Sequence, residues 1–366
     1  MSLSNNILRS SALLLIFMIG ACTYQSACPD PEEKILLQNA LKNVPSDYSH
    51  PRLVTGELIV KVANIEPLTG DALIDANQLD NIPADQLPSL HIWSSDIRDY
   101  ATQRMLSKST IHPQPDQSFT DSVYGNHVLY WNPSLQSAAD FTITRKFRYI
   151  TFDYRPVIDR EAERSQWDQI PQELVDKYTD SERFLEQDDA LIDTVFQLLE
   201  NIANPVGQAE ALYNWVQKSM IYIYPPEARG VKNAFETLRG DCGQYSALFV
   251  TMCRIAGIPA RQQSGFNFVP DNTGAHVWSE IYLPVKGWVP VDATRKDGFL
   301  FLDNKRLITS IGLNIPLKGA PAWATFKNSE VEDGITDFMQ MYTLASSGMK
   351  ANFSSSRRVI RSLELR

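Results

Sequence analysis

The densest local code in the chain is Leu238-Arg239-Gly240-Asp241-Cys242-Gly243-Gln244, with a cysteine in its middle. Asp241 followed three residues later by Gln244 is a capping-box pattern. It predicts a helix that opens at Cys242 and runs to about Ala256, ahead of Gly257-Ile258-Pro259, while Gly240 suits the end of a preceding helix. At the first helical position, unsatisfied N–H groups and the positive end of the helix dipole favour a thiolate over a thiol, which makes a cysteine a nucleophile. The backbone N–H of Cys242 is also placed to meet an oxyanion. The rest of the helix is apolar nearly all round, so it must be buried within a domain. Cys253 falls about 16 Å further along the axis, too far for a disulfide with Cys242, and reads as packing. The Arg-Gly-Asp triplet at 239–241 is consumed by the cap.

A nucleophilic cysteine needs a base, and the base needs an orienting group. Of the five histidines, His50, His91, His112 and His127 fall in the strand-rich first half or at its edge, which leaves His276. It begins the run His276-Val277-Trp278-Ser279-Glu280-Ile281-Tyr282-Leu283, and Pro284-Val285-Lys286-Gly287 turns that run into Trp288-Val289-Pro290-Val291-Asp292. Read as a hairpin, the two strands bring His276 and Asp292 to one end of a sheet. Facing residues of antiparallel strands share a side, so these two even-numbered residues point the same way only if paired numbers sum to an even value. An odd loop or a bulge is therefore required, and Pro290 fits an irregular or edge strand. Taken singly, Cys242 reads as a small buried residue, His276 as a strand-end surface residue and Asp292 as a loop cap; only together do they describe a site.

The elements that must hold these groups fall into two halves. From about residue 51 to 156 the text is strand-like: Leu58-Ile59-Val60-Lys61-Val62, Leu90-His91-Ile92-Trp93, Val128-Leu129-Tyr130-Trp131 and 141–149. In the last run Phe141, Ile143, Phe147 and Tyr149 share one face and only Arg145 breaks the alternation. Residues 121–126, with Gly125-Asn126, are turn chemistry, and several short strands spaced by turns predict an antiparallel β-sandwich. After Pro156 the period becomes helical. Leu191, Val195, Leu198, Leu199 and Ile202 form one stripe, Asn204-Pro205 stops that helix and starts another, and Val206, Ala209, Leu212, Tyr213 and Val216 form the next. Trp215, Tyr222 and Tyr224 read as core or groove lining. Strand and loop return from about Val289. Residues 354–366, with Arg357, Arg358, Arg361 and Arg366 against Glu364, read as a solvated tail with at most a weak affinity for anionic lipid headgroups.

The ordered Cys242, His276 and Asp292 in the contexts G-D-C, H-V-W and V-P-V-D-A-T resemble the core of the transglutaminase-like superfamily, a circularly rearranged relative of papain-type cysteine peptidases. Gly257-Ile258-Pro259-Ala260-Arg261 also looks like that family, as does a preceding β-rich domain with its Gly125-Asn126 turn. The resemblance spans about residues 110–315 and is strongest from Gly240 to Thr294. It implies an α+β fold in which a helix-borne cysteine packs on an antiparallel sheet, with Cys242 as nucleophile, His276 as general base and then acid, and Asp292 as the orienting carboxylate. Family members often supply a second oxyanion donor from an aromatic or amide side chain before the nucleophile. Here Tyr222, Tyr224 and, just after it, Gln244 remain open as that donor.

The amino terminus adds a compartment. The apolar run 12–19 follows a polar start carrying Arg9 and is too short to span a bilayer, which takes about 20 residues, so it reads as a secretion signal. Ile19-Gly20-Ala21-Cys22 resembles the lipobox of bacterial lipoproteins, which implies lipidation at Cys22 and, with Thr23 following, the outer membrane of a Gram-negative envelope. The expected organisation is then a signal peptide (1–21), a tether (22–50) in which Cys28 has no assigned partner, a β-sandwich domain (51–158), a transglutaminase-like domain (159–315) and a C-terminal extension (316–366). With 366 residues, 43% hydrophobic and 21% charged, the chain can bury sizeable cores, and a net charge of −9 offers no basic footprint for nucleic acid. Neither a cofactor nor a metal is implied, since Cys242, Cys253 and His276 lack zinc-ligand spacing. The expected activity is an envelope-anchored thiol enzyme that opens amide bonds of a protein or peptide through a thioester. Alternatives are a crosslinking transglutaminase and a non-catalytic binding or assembly module.

Overall fold

A computed structural model of the protein describes residues 31–68, 88–135, 140–321, 335–336 and 342–365. The apolar run 12–19 and the two cysteines Cys22 and Cys28 lie outside the described residues. Helix α1 (Pro31–Leu41) leads into β1 (Tyr48–Pro67), β2 (Ser89–Ser95), β3 (Gln103–His112), β4 (Gln117–Thr120), β5 (His127–Trp131) and β6 (Phe141–Tyr154). Four helices follow: α2 (Arg160–Ser165), α3 (Gln172–Thr179), α4 (Asp189–Leu199) and α5 (Pro205–Ser219). Then come β7 (Ile221–Tyr222), α6 (Val231–Thr237), β8 (Arg239–Gly240) and α7 (Cys242–Ile255). The chain closes with β9 (Ala260–Asn267), β10 (Ala275–Leu283), β11 (Gly287–Val291), β12 (Arg306–Ile311), the short β13 (Ile315–Pro316) and β14 (Ile335–Thr336), β15 (Thr343–Ser347) and β16 (Met349–Glu364). Among the described residues no helix is long and apolar enough to cross a membrane.

Two four-stranded antiparallel sheets, ordered β16-β1-β6-β3 and β15-β2-β5-β4, face one another. Their inward residues alternate as the sequence pattern requires: Val54, Leu58, Val60 and Val62 from β1 meet Ile92, Trp131, Ile143 and Phe147. Arg145, the residue out of pattern on β6, does turn inward. It is buried, and its cost is met by hydrogen bonds to Asp96 at 2.6 Å and to the Ser95 carbonyl at 2.5 Å. The 121–126 turn forms as expected, with Asp121 accepting from Val123 and Tyr124. The Asn126 side chain then donates to the Ile311 carbonyl and accepts from its N–H, both at 2.8 Å, tying the sandwich to β12.

The C-terminal segment differs from expectation. It is no solvated tail: β16 pairs along β1 and β15 along β2, so residues from 343 onward complete both sheets. Nothing local announces this, because Ser354-Ser355-Ser356 and the arginines lack an apolar face, and the partner strand is almost the whole chain away.

The second unit is a four-stranded antiparallel sheet, β11-β10-β9-β12, with helices on one face. Asn204 caps α5 by accepting from the Val206 and Gly207 N–H groups, with Pro205 at the first turn. Helix α7 is buried from Gly243 to Arg254, as its apolar composition demands. Ser246 Oγ reaches Ser279 Oγ at 2.7 Å and the Trp278 carbonyl at 3.0 Å, which seats the helix on β10. Phe266, Phe268 and Leu307 of this sheet pack into the core between the sandwich sheets, so the two units share apolar surface.

Candidate active site

Cys242 takes the first position of α7, and Asp241 is its N-cap, accepting from Gly243 N at 3.0 Å and Gln244 N at 3.2 Å. The expected capping box is only half made. Gln244 turns away, accepting from Gly230 N and donating to the Ala228 carbonyl, both at 2.9 Å, which pins the preceding loop. Gly240 does not end a helix either: α6 stops at Thr237, with Leu238 in the left-handed region at φ 49°. Gly240 serves close approach instead, since a side-chain carbon there would lie 2.3 Å from Gln244 Cβ. The cap carboxylate is matched by Arg229, whose Nη1 lies 2.8 and 2.7 Å from its two oxygens. Arg229, which no sequence motif marks, thus fixes the carboxylate that caps the helix opening at Cys242.

A two-residue parallel bridge, Ile221 with Arg239 and Tyr222 with Gly240, lays β7 against the residues just before the helix. This brings the Tyr222 hydroxyl onto Cys242, where its oxygen accepts from the backbone N–H and also meets the sulfur. Burial, then the neighbouring Cys242 and Asp241, push its pKa up to about 12, so it remains a neutral phenol near neutral pH. Of the three candidate oxyanion donors, only Tyr222 is so placed: Gln244 is committed elsewhere, and Tyr224 is 76% exposed.

His276 stands near the start of β10, paired with Gly265 of β9. The hairpin obeys the parity condition by its loop. Leu283 pairs with Gly287 and Ser279 with Val291, so three residues form the turn, the paired numbers sum to an even value, and no bulge is needed. Gly287 sits at φ +77°, which an odd hairpin loop commonly requires. Pro290 is on the sheet edge, as expected. His276 Nε2 and Asp292 Oδ2 are 2.8 Å apart, and the same imidazole donates a hydrogen bond to the Cys242 sulfur, leaving Nδ1 as the nitrogen on the sulfur's side. Trp278 stacks beside the His276 ring at 5.9 Å and anchors its own indole on Gln263 at 2.6 Å. Cys242, His276 and Asp292 thus converge; Cys253 is buried and apart from them, and burial pushes its thiol pKa up.

Asp292 is held from four directions. Oδ2 also takes Arg306 Nη2 at 3.2 Å, while Oδ1 takes the Thr294 N–H at 3.2 Å and hydroxyl at 2.6 Å. The loop after it folds back tightly: Asp292 N donates to the Gly298 carbonyl at 2.8 Å, and a side chain on Gly298 would meet the Asp292 carbonyl oxygen at 2.0 Å. Arg306, on β12, was not visible as a site residue, because it lies beyond the hairpin on a strand that pairs with β9. Burial works against charge on both partners but loses. For His276 it lowers the pKa, while the hydrogen bonds the ring donates to Asp292 and Cys242 carry the group up to about 9. For Asp292 it raises the pKa, while His276, Arg306 and Thr294 hold it at about 2. An imidazolium beside a carboxylate is therefore the state at neutral pH.

Residues 192–293, a span that includes all three groups, match the model of the Transglutaminase-like superfamily. The chain carries a transglutaminase-like domain. It is 26% identical over 146 residues to the uncharacterized protein YebA of Bacillus subtilis, covering 33% of this chain and 20% of that one. It is 29% identical over 100 residues to a protein-glutamine gamma-glutamyltransferase of Pseudomonas aeruginosa, covering 24% of this chain and 15% of that one. The chain therefore spans well under half the length of these curated relatives. A crystal structure from Cytophaga hutchinsonii, described as a candidate cysteine protease, superposes with a TM-score of 0.56 over 85% of this chain and 91% of its own at 14% identity. That likeness is one of fold, and it extends beyond the transglutaminase-like domain.

Proposed function

We propose that the protein is a thiol enzyme that opens amide bonds through a Cys242 thioester, with water as the usual acceptor. The observation that carries the reading is the convergence of Cys242, His276 and Asp292 at a helix tip open to solvent. An imidazolium beside sulfur at a helix N-terminus favours the thiolate. The sulfur attacks the amide carbonyl, and the developing oxyanion is met by the Cys242 backbone N–H and, after a small shift of its ring, the Tyr222 hydroxyl. His276 then gives its proton to the departing amine and, once neutral, takes one from the incoming water. Asp292 keeps the ring oriented throughout and stabilises its charged form.

Hydrolysis is favoured over crosslinking because Tyr222, which touches Cys242, is itself exposed, and excluding water from an acyl-enzyme is the more demanding condition. Transfer to a lysine amine is the second reading, supported by the sequence similarity to the Pseudomonas aeruginosa gamma-glutamyltransferase. We also propose, from the Cys22 motif alone, that a lipid anchor holds the protein at the outer membrane, where proteins or peptides of the envelope are its substrates.

The test separates the two fates. A library of peptide amides is incubated with the enzyme, with and without a biotinylated primary amine, and acids and amine adducts are resolved by mass spectrometry. Acids should form in both cases, with adducts a minority, and Cys242→Ala should abolish both. Adducts formed to the exclusion of acids would establish the transferase reading, and turnover retained in Cys242→Ala would overturn both readings.

A further inference from the structure

We infer that Arg357, from the C-terminal strand of the sandwich, reads a carboxylate on the acyl donor, so that the amide opened by Cys242 lies close to a negatively charged group. This rests on Cys242 as the nucleophile and adds the class of substrate.

Arg357 lies opposite Leu58 in the pairing of β16 with β1. Leu58 belongs to the core between the sandwich sheets, so facing side chains put Arg357 on the inner side of its sheet. There its guanidinium lies 4.9 Å over the ring of Phe266. Phe266 pairs with Ala275, directly next to the Gly265 and His276 pair. On the opposite side, Tyr224 lies within electrostatic reach of the same guanidinium, and Tyr222, two residues earlier, touches Cys242. Arg357 is thus seated at the end of β9, one residue pair along from His276, with Tyr224 within electrostatic reach.

Of the other arginines near the sulfur, Arg229 is matched by Asp241 and Arg306 by Asp292, while Arg239 is exposed on β8. Among the described residues Arg357 has no carboxylate partner. It is half-buried, and burial pulls its pKa below the ordinary guanidinium range, the mark of a cation that has lost water without gaining an anion. A planar guanidinium fixed on an aromatic ring is preorganised for a carboxylate, and the substrate would supply it. An acidic side chain beside the reactive amide and a free terminal carboxylate share this chemistry.

Two alkylating reagents of nearly equal size test the inference before any natural substrate is known: iodoacetate, an anion, and iodoacetamide, which is neutral. Their second-order rates on Cys242 are measured by peptide mass spectrometry for the wild-type protein, Arg357→Gln and Arg357→Lys at low ionic strength. The ratio of iodoacetate to iodoacetamide rates should fall about threefold in Arg357→Gln and stay near wild type in Arg357→Lys, as expected for one charge removed near the sulfur. The iodoacetamide rate should be unchanged, which also shows that the fold is intact. Should Arg357→Gln not fold, Arg357→Met, whose apolar stem can stay on the Phe266 ring, takes its place and must show the same fall in the ratio. Protection of Cys242 from iodoacetamide by a glutamyl peptide amide, or by a peptide with a free C-terminal carboxylate, identifies which source is read. An unchanged ratio in Arg357→Gln, or equal protection by neutral isosteres of both peptides, overturns the inference while leaving the thiol chemistry standing. A Cys242 that reacts no faster than a free thiol peptide with either reagent removes both.

Discussion

The two ends of the site are built by opposite strategies. At the sulfur, four consecutive residues do most of the work: Asp241 caps, Cys242 reacts, Gly243 and Gln244 receive the cap. At the imidazole, every group comes from a different element, with His276 on β10, Asp292 after β11 and Arg306 on β12. The sulfur end gets its electrostatics from backbone N–H groups that any helix of this length possesses. The imidazole end must assemble buried charges whose desolvation is offset only if all partners arrive together. A local device tolerates loss of one contact; an assembled one should not.

That contrast sets the order of the mutational effects. Arg306→Met should be the more damaging, costing about 3 kcal/mol in urea unfolding, because it strips a partner from a buried carboxylate. It should also change the pH profile. The Asp292 pKa is held at about 2, below its unfolded value, so its stabilising contribution is present above the unfolded pKa and is lost as pH falls toward about 2. Arg306 is one cause of that depression, so without it the contribution should be smaller and its loss complete at a higher pH, and acid unfolding should move upward. An unchanged acid midpoint in Arg306→Met would mean that His276 and Thr294 suffice.

At the other end, Asp241→Ala should cost about 1 kcal/mol, the usual worth of an N-cap. Asp241→Asn, which keeps the capping acceptor and drops only the charge facing Arg229, should cost less. A loss in Asp241→Ala as large as that in Arg306→Met would erase the distinction between the two ends.

The same contrast explains what could be read from the sequence. Helix start signals lie within four residues of one another, so the α7 boundary and the place of Cys242 were legible, and Asn204-Pro205 marked α5 for the same reason. The His276 and Asp292 pairing followed from strand parity, which needs only a hairpin and an odd loop. Arg306 was illegible because it joins through β9, a strand between it and the histidine. The choice of Tyr222 over Tyr224 depended on a two-residue bridge too short to leave a pattern. The strands β15 and β16 were hidden most deeply: their serines and arginines face a partner chosen by topology, and the segment expected as a solvated tail completes both sandwich sheets. The roles of Gly240 and Gln244 were misread for a related reason, since a close approach and a helix stop use the same residue.

The central claim is that His276, steered by Asp292, makes Cys242 reactive. Peptide-resolved alkylation under limiting iodoacetamide at pH 7 tests it most directly, with the buried Cys253 as internal reference. Cys242 should be modified at least about tenfold faster than Cys253, and its rate should fall by about tenfold or more in His276→Ala and by a smaller factor in Asp292→Asn. Equal rates at Cys242 in the wild type and His276→Ala would contradict the account.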